Sequence, residues 1–169
     1  MKKLLIISTV LVLILSIIKE EKVIIPKEAI RFRVIANSNS NNDQRIKKEV
    51  VNNLSPTLQN ISKLHKIEET RNYINNNLNK FTEIVDKTLK MNQTNYSYNI
   101  NYGKNYFPKK TYKEVEYEEG YYDSLVITLG DGLGENFWCV LFPPICMVDK
   151  EKNDVEYKSF VKELIEKYF

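Results

Sequence analysis

The hydrophobic pattern predicts an α+β domain: a mainly antiparallel sheet packed against two or three helices, preceded by an N-terminal hydrophobic signal or anchor helix. Three observations carry this. A single strand-like run is followed by two stretches with helical periodicity. Three or four alternating runs then crowd together between residues 94 and 142. An amphipathic stretch ends the sequence.

The first element is Leu4 to Ile18, where only Ser8, Thr9 and Ser16 interrupt an apolar run that follows Met1-Lys2-Lys3 and is stopped by Lys19-Glu20-Glu21-Lys22. A basic start before a short apolar core is the pattern of an export signal. At about 1.5 Å per residue it makes a helix of roughly 22 Å, short of a bilayer core of about 30 Å. No small-x-small cleavage site is visible, so residues 1–22 read as either a signal peptide or a signal anchor in contact with the membrane. The lysines stay on the cytoplasmic side and send the rest outside. Residues 23–29 are expected to be a linker, and 30–169 a single extracytoplasmic domain.

Residues 30–36 alternate and then turn apolar, as a strand does. The polar stretch from Asn37 to Asp43 follows and can cap a helix start. Ile46, Val50 and Leu54 at spacing four predict that helix, kinked or ended near Pro56. Ile67, Ile74, Leu78, Phe81 and Val85 predict one further helix from about 67 to 89, its apolar stripe read as core. Residues 94–102 alternate strictly, with Tyr96, Tyr98, Ile100 and Tyr102 on one face. Eight of the 11 tyrosines fall between Tyr96 and Tyr122. That row reads as sheet core with cross-strand pairs, with an aromatic face for peptide or glycan as the alternative. Glu114, Glu116 and Glu118 alternate with Val115 and Tyr117, a solvent-facing acidic row. Residues 121–129 and 137–142 complete the strands, the second stopped by Pro143-Pro144. Val161, Leu164, Ile165 and Tyr168 mark the last helix. The later strands, close in sequence, are expected to pair antiparallel, with the first strand joining their sheet through the helical crossover.

Four of the five glycines lie between Gly120 and Gly134. A phosphate-binding loop would need a helix directly after them. A strand follows instead, so these glycines read as a tight connection. The 25 Lys and Arg against 22 Asp and Glu give a net charge of +3, too balanced for a nucleic-acid binder. Lys2 and Lys3 supply most of that excess. The only histidine, His65, has no Cys, Ser or carboxylate at useful spacing, and with two cysteines a zinc site built from His and Cys alone cannot reach four ligands. No acidic run has metal-ligand spacing, and no cofactor or metal is expected. Cys139 and Cys146 flank Pro143-Pro144. Outside the cytoplasm they form a candidate disulfide, the alternative being two buried thiols.

Three blocks carry a resemblance. Ile30 to Ser40 with Asp43-Gln44, Lys47 and Val50, then Tyr106 to Tyr112, then Gly130 to Cys146 with its Phe137-Trp138-Cys139-Val140-Leu141-Phe142-Pro143-Pro144 core, resemble the stage II sporulation protein R family in the same order over about residues 30–149. Arg33 stands where that family commonly has His, and Phe137 where it has Trp. The resemblance implies a signalling protein of endospore-forming bacteria and not an enzyme. It would be exported into the space between forespore and mother-cell membranes, where it activates the membrane-bound aspartic protease that processes pro-sigma-E. The alternative is a protein that binds or hydrolyses cell-wall peptidoglycan. Two partner-binding surfaces are expected: the loop carrying Asn37, Ser38 and Asp43, and the loop and strand carrying Gly132, Gly134, Asn136, Trp138, Phe142, Pro143 and Pro144, with Trp138 and Phe142 as anchors.

Overall fold

A computed structural model describes residues 22–145 and 154–169. The apolar run at 4–18 and Cys146 lie outside the described residues, and with them the signal or anchor helix and the second half of the candidate disulfide. No helix of the described residues is long and apolar enough to cross a membrane.

The domain is α+β with two mixed sheets. Its strands are β1 (Val23–Ile24), β2 (Ile30–Ile35), β3 (Tyr98–Phe107), β4 (Lys110–Tyr112), β5 (Val115–Tyr117), β6 (Gly120–Leu129) and β7 (Asn136–Phe142). Its helices are α1 (Asn41–Leu58), α2 (Ile67–Asn76), α3 (Leu78–Met91) and α4 (Asp154–Tyr168), with a 3-10 turn at Gln59–Lys63. The main sheet has the order β3-β6-β2-β7 and the small sheet β1-β5-β4.

The expectation of antiparallel pairing among the later strands holds for β3 with β6 and for the β4–β5 hairpin. It fails for β6 and β7. The first strand, β2, lies between them, parallel to β6 and antiparallel to β7. The reason is in its composition. Phe32 and Val34 on one face and Arg31 on the other are all buried, and a strand covered on both faces belongs at the centre. Helices α1, α2 and α3 cover one face. Ile46, Val50 and Leu54 of α1 meet Ile74 of α2, Phe81 and Val85 of α3, and Phe32, Leu125 and Ile127 of the sheet. The small sheet and α4 close part of the other face around Val23, Ile25, Val115, Val140 and Val161.

Of three further expectations, one holds and two are corrected. The helix expected to kink or end near Pro56 ends at Leu58, with Pro56 in its last turn, as a residue that cannot donate its own backbone bond favours. The single helix expected over 67–89 is two, broken at Asn77 (φ −110°, ψ 9°). The Asn77 side chain donates to the Tyr73 carbonyl at 2.8 Å, the local competition with the helix backbone that Asn provides. Third, the stretch expected as a linker contains β1: Val23 pairs in parallel with Val115, and Ile25 and Ala29 are buried.

Candidate functional site

Because β2 and β6 run parallel, their carboxyl ends emerge together, and β7 starts beside them. The loops that follow, residues 36–40 and 130–135, therefore lie side by side, although about 90 residues separate them in sequence. The backbone N–H groups of Leu133 and Gly134 donate to the carbonyls of Asn37 and Ala36 at 3.0 and 2.9 Å. Asp131 N–H donates to Asn37 Oδ1 at 3.0 Å and Glu135 N–H to Asn39 Oδ1 at 2.7 Å. The half-open end of the sheet is thereby latched by asparagine side chains acting as extra backbone.

Two glycines make this approach possible. A Cβ on Gly134 would lie 2.2 Å from the Ser38 carbonyl oxygen, and Gly130, at φ +55°, would put one 2.1 Å from Asn37 Oδ1. Only a residue without Cβ fits either place.

Asp43 organises the other side. It sits in the first turn of α1, whose N-cap Ser40 accepts from the Asp43 N–H at 3.1 Å. Its buried carboxylate accepts from Ser38 Oγ at 2.5 Å, Asn37 Nδ2 at 2.9 Å and Tyr96 Oη at 2.5 Å. The bond from Ser38, then that from Tyr96, hold its pKa down at about 2 against the opposing effect of burial. Buried Lys47, one turn on, donates to the Glu135 carbonyl at 2.9 Å and fastens α1 to the glycine loop. Burial lowers its pKa.

The structure thus brings Asn37, Ser38, Asp43, Gly132, Gly134 and Asn136 together at one end of the sheet. The remaining expected positions lie elsewhere. Trp138 is half-buried in mid-strand on the face away from α1–α3, its ring 5.2 Å from that of Phe107 in an edge-on contact. Phe142, Pro143 and Pro144 are buried at the opposite end of β7, where Phe142 packs on Tyr168 and Phe169 at 5.1 and 6.0 Å. They lie in the core, Phe142 at 2% exposed. Cys139 is half-buried on the helix-covered face.

The sequence reading missed Leu133, which stands 79% exposed at the tip of the latched loop. It also missed the latching role of Lys47. The i+4 spacing of Asp43 and Lys47 on α1 was the available signal. Of the tyrosine row, Tyr96, Tyr98 and Tyr102, with Ile100, are partly buried against the helix-side cluster, Tyr122 is buried, and Tyr106, Tyr112 and Tyr121 are exposed. His65 is exposed and stacks on Tyr168 at 6.5 Å. Among the described residues no three His, Cys, Asp or Glu are grouped to hold a metal ion.

Against known proteins, a family model described as stage II sporulation protein R matches residues 26–152. The chain is similar to the stage II sporulation protein R of Bacillus subtilis (strain 168), at 36% identity over 146 residues, covering 82% of this chain and 65% of the relative. It therefore spans less than two thirds of that relative's length. No solved structure matches.

Proposed function

The chain belongs to the stage II sporulation protein R family and is a sporulation protein, and from that premise we propose that it is an exported signalling ligand. In this reading the N-terminal segment carries the domain out of the forespore. The domain then engages the membrane-bound aspartic protease that processes pro-sigma-E and shifts it to its active state. Such signalling requires only that the ligand bind one receptor state better than the other.

The observation that carries the reading is the latched loop pair. The side chains of Asn37, Ser38, Asn39 and Ser40 are engaged in bonds within the chain, and its one buried carboxylate, Asp43, is held at about 2, far from the value a general base needs at neutral pH. What such a site offers is shape: a rigid rim, set by strands and a capped helix, that presents exposed Leu133 and Glu135. Rigid presentation of this kind suits recognition. We extend the proposal to a Cys139–Cys146 bond in the exported protein. Thiol labelling should then mark neither cysteine before reduction and both after.

The test is complementation. The full chain is expressed in the forespore of a strain lacking its own member of the family, and pro-sigma-E cleavage is followed by immunoblot. Restored cleavage is expected. Absence of cleavage, with the protein exported and folded, overturns the reading. Leu133→Asp should reduce cleavage at least tenfold while leaving the thermal midpoint unchanged. Full cleavage with that variant would remove the loop tip from the docking surface.

A further inference from the structure

The face of the main sheet opposite α1–α3 gathers Arg31, Arg33 and Lys110 around aromatic rings. Strand register places Asn101, Val126, Arg33 and Trp138 in one row, with Gly103, Ser124, Arg31 and Val140 in the row beside it. Neither row contains a carboxylate. Arg33 lies over the rings of Phe107 and Trp138 at 4.8 and 5.7 Å, and exposed Lys110 reaches the same Trp138 at 5.2 Å. Behind them Arg31, only 1% exposed, lies over Tyr122 at 3.4 Å.

The donors of these guanidinium groups are not used up. Arg31 gives one bond, to the Glu118 carbonyl at 3.2 Å. Its Nε and Nη1, and Nε of Arg33, are buried with no partner. The nearby carboxylates of Glu116 and Glu118 are held by Lys22 and Lys109. An aromatic ring offsets the charge of a guanidinium, but it does not accept the N–H bonds along the guanidinium edge. Those bonds fit a carboxylate, which takes them in pairs.

We propose that Arg33, Trp138 and Lys110 form a docking site for an acidic segment of a partner protein, with buried Arg31 strengthening the field behind it. A peptide fits better than a free anion. In the adjoining row half-buried Asn136 lies on the same face, an amide side chain beside the path of the same segment's backbone. The inference does not rest on the identity of the receptor, because peptide binding is measurable without it.

Trp138 is the only tryptophan in the chain and reports on its own site. The full chain is titrated with a capped pentaglutamate peptide while tryptophan emission is followed. A saturable change is expected. It should be absent with capped pentaglutamine and weakened about tenfold by Arg33→Gln and by Lys110→Gln. Lys110 is exposed, so its variant decides the matter if Arg33→Gln does not fold. No saturable change, an equal response to pentaglutamine, or unaltered binding by Lys110→Gln overturns the proposal. So does equal binding of inorganic phosphate, which would mark a general anion site. Binding of phosphatidylglycerol vesicles that depends on Arg33 and Lys110, without peptide binding, would reassign the patch to a membrane surface.

Discussion

At the scale of single residues, the loop knot depends on groups whose removal has a computable sign. The Asp43 carboxylate lies near 2, below its ordinary 3.8. A depressed acid stabilises the fold above its unfolded value, and that contribution disappears as pH falls through the folded value. Asp43→Asn should therefore cost about 2 kcal/mol at neutral pH, the scale of hydrogen bonds to a charged acceptor. In urea unfolding, the gap between variant and parent should close as pH falls from 3.8 to about 2. A gap that persists below that window would mean the side chain acts by shape and not by charge. Gly134→Ala drives a methyl into the Ser38 backbone and should cost about 1–3 kcal/mol. Ser38→Ala leaves that space open and should cost less in the same melt. The charge of Asp43 was legible as a cap signal. That Tyr96 completes its shell was not, because that bond spans 53 residues.

At the scale of elements, local periodicity located strands and helices well, and tertiary pairing moved their limits. Residues 94–102 alternate, yet β3 starts at Tyr98 and runs to Phe107 because its partner β6 extends opposite it to Gly120. The helical stripe from Ile67 to Val85 survives the break at Asn77, since Ile74, Phe81 and Val85 all reach the same core. β1 shows the reverse case. Two residues give no periodic signal, and Val23 is fixed by a strand more than 90 residues away. Ile25, 1% exposed just after it, carries the prediction. Ile25→Ala should destabilise the domain by about 2–5 kcal/mol in denaturant unfolding. A loss under about 0.5 kcal/mol, the size of a surface effect, would show that 23–29 behaves as a linker after all.

At the scale of the molecule, the sheet is a divide between two chemistries. One side is an apolar core under α1–α3. The other is shared by the small sheet, α4 and the arginine row of β2. The C-terminal residues cross to the far end of β7, where Tyr168 and Phe169 pack on Phe142. Tyr168→Ala should remove about 1 kcal/mol of aromatic contact and speed amide exchange in β7 near Phe142. Exchange unchanged there would mean α4 contributes nothing to holding that end of the strand. The knot at the opposite end should stay protected in the same experiment, since its bonds involve none of these rings.

By itself the sequence determined the fold class, the elements of the helix-covered core and the family, because each is written in local patterns: alternation, a spacing of three and four, and contiguous motif blocks. It also marked both motif loops as candidates for recognition. Only the tertiary structure decided that these loops form one latched rim, that Phe142 is core, and that Arg31 and Arg33 share a face with Trp138. The physical reason is strand order. Inserting β2 between β6 and β7 satisfies a strand that needs cover on both sides. That single choice brings together side chains roughly 90 residues apart, a relation no local pattern encodes.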